Sequence, residues 1–448
     1  AINFRDEAPG ILEVNGGSLT ANQIAISDGA SAGTYSYIQT GGTVEVNGND
    51  NPDDNKALLH LNNQDMTLNM SGGEIQIAGV SNHDTNAVNI ASDPSNINVS
   101  GGSLRLGYNG TTDVYSTAPI YNVIIDNGNT TLLDGELTVQ NDLTINANAF
   151  LDHGGNDVTI GHDFSISENA KSGGANNYGY LYDPALPNTT TFNGTKDGTF
   201  YIGHPDSETD GWELYMNRLV LNKPSGKNLI MDSDPEKEAS NVSASWHARI
   251  ARVDSINVES GILNQGNHSV RLVGNVVNND QIGVYNGSTN DDALIMFAWN
   301  SYDIKTTSDA IFGNIKVNTG NNIVSFSSNV YIKRIWYRHG RLNPGRYNLK
   351  VDDIDYAMYG ETQFDWDQSG AIEGDEQGVN SPMDMFVFDG KASSGGLSLK
   401  ITGNGTYKFP VGNGTDATEM AFNNSKYTPA IIDVTNFNDD GYIIINPV

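Results

Sequence analysis

A pair of adjacent glycines recurs through the first hundred residues at nearly constant spacing. Gly16-Gly17, Gly41-Gly42, Gly72-Gly73 and Gly101-Gly102 follow one another at 25, 31 and 29 residues. Three of the four read Thr/Ser-Gly-Gly followed by alternating apolar residues: Val44 and Val46, Ile75 and Ile77, Leu104 and Leu106. Alternation is the period of a strand with one buried face. Glycine supplies the positive φ that a sharp corner needs. Each unit is therefore a short strand, a tight corner, a second strand and a polar loop of variable length. A unit this thin cannot bury an apolar face alone, so successive units must stack and cover one another.

A second unit recurs downstream. Gly261-Ile-Leu263-Asn-Gln-Gly266, followed by Val270 and Leu272, aligns without a gap on Gly340-Arg-Leu342-Asn-Pro-Gly345, followed by Leu349 and Val351. Ala149-Phe-Leu151-Asp-His-Gly154, followed by Val158 and Ile160, is a third copy. In this alignment His153, Gln265 and Pro344 share one position, which marks it as a turn and not a catalytic site. No long segment has helical periodicity. The expected fold is all-β: a right-handed parallel β-helix solenoid over 1–350, since crossovers between parallel strands are right-handed. A calcium-loop insertion and cap region follows over 351–395, and a small C-terminal β region over 396–448. A string of β-sandwiches is the competing architecture, disfavoured by the regular glycine spacing.

Composition narrows the function. Lys and Arg number 24 against 54 Asp and Glu, a net charge of −30. Such acidity repels nucleic acid and anionic lipid and suits a soluble extracellular protein or calcium binding. The chain has no cysteine, which excludes disulfides and thiolate metal sites. No apolar run approaches the ~18 residues of a membrane span. The sequence starts at Ala1 without a basic and apolar leader, and we expect that a signal peptide has been removed or that the chain is a fragment.

The sharpest chemical motif is Asp365-Trp-Asp367-Gln-Ser369-Gly370-Ala371-Ile-Glu-Gly-Asp-Glu376. It has the spacing of a twelve-residue calcium loop. Asp365, Asp367 and Ser369 would give side-chain oxygens, Ala371 a carbonyl and Glu376 a bidentate carboxylate. We read it as a structural Ca2+ site in preference to a plain acidic turn. One basic island interrupts the acidity, with Lys333, Arg334, Arg338, His339, Arg341, Arg346 and Lys350 around Trp336 and Tyr337. On one straight strand Arg334, Trp336 and Arg338 would share a face, a candidate site for an acidic polysaccharide. The plainer reading, charge balance against carboxylates of neighbouring coils, is preferred. Phosphate loops, dinucleotide fingerprints and His-Glu-x-x-His are all absent from the sequence.

Several segments resemble secreted repeat proteins of Bacteroidota exported by the type IX system, including gliding and adhesin-like surface proteins. They are Leu221-Asn-Lys-Pro-Ser-Gly226, Asn141-Asp-Leu-Thr-Ile145, the Gly-x-Leu-Asn-x-Gly units, Met385-Phe-Val-Phe-Asp-Gly390, Ser394-Gly-Gly396, Tyr407-Lys-Phe-Pro-Val-Gly412 and Tyr427-Thr-Pro429. The resemblance implies secretion to the cell surface, further domains of the same polypeptide beyond residue 448, and O-glycosylation at Asp-Ser/Thr-apolar sites, here Ser255 within Asp254-Ser255-Ile256. Together these readings point to a non-catalytic scaffold and adhesin-like passenger, with an extracellular polysaccharide or cell-surface component as partner. Two alternatives stand beside it: a β-helix polysaccharide lyase or glycoside hydrolase, and an extracellular filament or matrix subunit.

Overall fold

The computed structural model describes residues 2–4, 9–26, 35–48, 56–80, 86–174, 177–203, 214–233, 249–285, 295–298, 300–307, 310–328, 330–343, 349–355, 399–401, 406–407 and 442–443. The chain divides into two compact units, residues 1–220 with 232–242, and 221–231 with 243–448. In both, strands pair in parallel with strands of the next coil, and the protein is a parallel β-helix. Antiparallel pairing among the described residues is confined to the hairpin Ser172–Gly174 with Asn177–Tyr178 and a bridge at Tyr180. The one helical segment among them is a 3-10 turn, Pro94–Asn96. No helix among the described residues is long and apolar enough to cross a membrane.

The glycine pairs mark one corner of the first unit. The strands that follow them stack in register: Leu19 on Val44, Val44 on Ile75, Ile75 on Leu104. The column continues through Val123, Leu143, Phe164 and Phe200. From Val44 to Phe200 these side chains are at most 3% exposed. Gly17, Gly42, Gly73 and Gly102 all take φ between 72° and 87°, and a Cβ on Gly73 would stand 2.7 Å from the Gly42 carbonyl oxygen. Glycine is thus required both for the turn and for the close stacking of corners. A second ladder carries Ile2–Phe4, Ile24–Ile26, Leu59–Asn62, Val88–Ala91, Thr111–Ser116, Thr130–Leu133 and Phe150–Asp152, all parallel. A third includes Leu137–Val139, Val158–Ile160 and Thr189–Phe192. Each coil therefore contributes three short strands around a narrow core.

The register also corrects the coil length. Ser103 pairs with Asn122, Val123 with Leu143 and Leu143 with Phe164, steps of about 19 to 21 residues in the sense of one rung of a solenoid. The 25-to-31-residue spacing read from the glycines is this bare coil plus a loop. In the second unit Arg252 pairs with Arg271, and Ile311 with Tyr331, at the same short step. There Val253, Leu272, Phe297 and Val317 form one buried column. The strand Leu399–Ile401 lies parallel on Leu349–Val351, and Thr406–Tyr407 pairs with Tyr442–Ile443.

Among the described residues the second sequence repeat is one turn used twice, the turn of the copy beginning at Gly340 lying outside them. Asp152 Oδ1 accepts the Gly154 N–H at 2.9 Å, and Asn264 Oδ1 accepts the Gly266 N–H at the same distance. Gly154 and Gly266 take φ of 58° and 61°. The Asn156 N–H returns to the His153 carbonyl at 2.8 Å, and the His268 N–H to the Gln265 carbonyl at 3.0 Å. The Asx side chain holds the bend that glycine's left-handed φ completes.

Candidate functional site

Polar side chains at the corners are spent on joining coils. His153 is fully buried. Its Nδ1 accepts the Gly155 N–H at 3.0 Å, so the ring proton sits on Nε2 and is donated to the Leu181 carbonyl, 2.9 Å away on the next coil. Burial holds its pKa below the ordinary histidine value, against an opposing contribution from the Leu181 carbonyl and from nearby carboxylates. Gln265, at the equivalent turn, donates through Nε2 to the Val284 carbonyl at 2.8 Å and accepts the Val284 N–H through Oε1 at 2.7 Å. Beside His153, the Tyr180 hydroxyl lies among Thr190 and Asn188, and burial pushes its pKa up to about 12.

Just past the glycine corners of the first unit, the same column becomes a ladder of Asn and Asp. Asn122 donates through Nδ2 to the Gly102 carbonyl at 3.0 Å, and its Oδ1 accepts the Asp142 N–H at 3.2 Å. Asp142 Oδ1 accepts the Asp163 N–H at 3.2 Å, and Asp163 Oδ1 accepts the Thr199 N–H at 2.7 Å. His162 Nδ1 stands 2.9 Å from Asp142 Oδ1 and 3.3 Å from Asp163 Oδ2. These three side chains are half-buried, with donor atoms within 4.8 Å of one another. Two oxygens and an imidazole nitrogen at that spacing have the chemistry of a divalent-cation cluster. The ladder bonds already account for where the carboxylates sit.

The sequence candidates separate. Asp365, Asp367, Ser369, Ala371 and Glu376 lie outside the described residues, and so does any geometry of a Ca2+ loop. Of the basic island, Arg334 pairs in register with Asn314, and Trp336 with Lys316. Arg338 falls in a register irregularity between Tyr337 and His339. Arg334 is buried, its guanidinium 5.3 Å from the centre of the Tyr285 ring. Ser255 is half-buried on the strand Arg249–Ser260, between a half-buried Asp254 and a buried Ile256.

The comparisons with known proteins add nothing to this geometry. No family model matches the chain, nor does any curated protein or solved structure. Function must be argued from the coils themselves, and there sequence reasoning missed one arrangement. Arg252 pairs with Arg271, Arg271 with Met296, Met296 with Lys316, and Lys316 with Trp336. Three cations and a tryptophan thus share one strand position on five successive coils. Arg252 and Arg271 are half-buried and Lys316 is buried. Asp254 Oδ1 lies 3.6 Å from Arg252 Nε. The cations are far apart in sequence, so no local pattern announces them.

Proposed function

We propose that this chain is a secreted, non-catalytic scaffold of the bacterial cell surface, adhesin-like, that presents the outer face of its coils to extracellular polysaccharide. The observation that carries the reading is the use made of its polar corner groups. His153, Gln265, Asn122, Asp142 and Asp163 each bond the adjoining coil, which is what a rigid column needs and leaves an imidazole such as His153 unsuited to proton transfer. The acidity of the chain agrees with a soluble protein outside the cell. The 365–376 loop is proposed to take one structural Ca2+, held by Asp365, Asp367, Ser369, Ala371 and Glu376, and Ser255 to be an O-glycosylation site.

The test has two parts. Incubation with acidic and neutral polysaccharides is expected to yield neither unsaturated uronate nor new reducing ends, while binding to at least one of them is seen. Turnover that disappears in Arg338→Ala would replace the scaffold by a lyase. Melting temperature is expected to drop on addition of chelator and to recover with excess Ca2+. The same melting curve with and without chelator removes the calcium proposal.

A further inference from the structure

Charge is unevenly distributed along this acidic chain. Residues 249–350 hold eleven Lys and Arg against seven Asp and Glu, and residues 310–351 hold no Asp or Glu, within a protein of net charge −30. The register of the second unit gathers part of this charge across coils. Arg252, Arg271, Met296, Lys316 and Trp336 succeed one another at a single strand position, at the ~4.8 Å spacing of neighbouring strands. Arg252 and Arg271 are direct neighbours in register, and Asp254 Oδ1 stands 3.6 Å from Arg252 Nε. On later coils Lys316 and Arg334 are buried, where a lower effective dielectric strengthens the field that they project.

We infer that this column is a docking surface for an acidic polysaccharide lying along the coil axis, with successive sugar carboxylates or sulfates meeting successive coils. The inference rests on the glycan-binding reading above and specifies its ligand class, direction and residues. Arg252 and Arg271 make the contacts, and the buried Lys316 and Arg334 supply field from later coils. A ligand one sugar wide meets the column alone. The phosphates of a stacked nucleic acid strand advance about 3.4 Å per nucleotide, out of step with the ~4.8 Å between neighbouring coils.

The experiment uses the full chain and three probes: sodium polygalacturonate, neutral dextran and oligothymidylate. The chain is expected to bind polygalacturonate at low salt, to lose it as salt rises, and to leave dextran and oligothymidylate unbound. The double variant Arg252→Gln/Arg271→Gln should bind polygalacturonate roughly tenfold more weakly or worse, with an unchanged melting temperature. If that pair melts lower, Arg252→Lys/Arg271→Lys decides: retained binding supports the column and lost binding overturns it. Wild-type affinity in the Gln pair, equal binding of oligothymidylate, or self-association in place of glycan binding overturns the inference. Equal binding of dextran and polygalacturonate rejects the column and leaves the glycan-binding scaffold standing. Binding of neither glycan rejects both.

Discussion

His153 shows how little chemistry a buried imidazole retains once both nitrogens are engaged. Its native pKa is lowered, chiefly by burial, so the unfolded chain takes up a proton more readily than the folded one. The sign follows from linkage. Above the ordinary histidine value of ~6.5 both states are neutral and the group adds no pH dependence. As pH falls below it, the unfolded state is protonated first, and stability declines until the native pKa is reached. His153→Gln is expected to keep most of the stability at neutral pH, because Gln265 at the matching turn likewise donates to a carbonyl of the next coil, and to flatten the acid slope. His153→Ala should cost about 1–3 kcal/mol, leaving the Gly155 N–H and the Leu181 carbonyl without their partner. Urea denaturation at about pH 7 and about pH 5 measures both. An acid slope that survives His153→Gln would assign it to another group.

Corners and core rows set the stability of each coil. Gly73 has φ of 81°, and an added Cβ would lie 2.5 Å from Gln39 Nε2 and 2.7 Å from the Gly42 carbonyl oxygen. Gly73→Ala therefore combines backbone strain with a clash against backbone, and should destabilise by more than about 1 kcal/mol. A change within experimental error would mean that corner stacking is looser than drawn. Inside the same unit, Phe164 and Phe200 stack at 4.7 Å with rings 8° from parallel, and Phe192 leans on Phe200 at 5.7 Å. All three are fully buried. Phe200→Ala removes the middle of this row, and a loss of about 3–5 kcal/mol is expected, read from the shift in denaturation midpoint. A shift below about 1 kcal/mol would show that neighbouring coils collapse to fill the space.

The net charge of −30 bears on the protein as a whole. Exposed carboxylates repel one another over about 10 Å at 0.1 M salt and farther at lower salt. Coil-joining bonds such as those of Asp142 and Asp163 to backbone N–H groups are short-range and much less sensitive to screening. Raising salt from low to physiological concentration is therefore expected to raise the melting temperature, as self-repulsion is relieved. A melting temperature that falls with salt would place more stability in ion pairs such as Arg105 with Glu74 and Asp126 than the charge balance allows.

Fold class was readable because its signals are local. Positive φ at Gly17, Gly42, Gly73 and Gly102, alternation at Val44/Val46 and Ile75/Ile77, and the Asx-Gly turns at 152–154 and 264–266 each depend on a few consecutive residues. The candidate sites were not readable in the same way. A strand position on successive coils can be about 19 residues away, as for Arg252 and Arg271, or more than 30, as for Phe164 and Phe200. Inserted loops set that separation, and a loop's length carries no pattern of its own. Arg334, Ile335 and Trp336 pair in unbroken register with Asn314, Ile315 and Lys316, and Arg338 falls past them in the register irregularity. Arg252, Arg271 and Lys316, scattered along the chain, are brought together. Backbone geometry is decided residue by residue; which side chains become neighbours is decided only when coils close over one another.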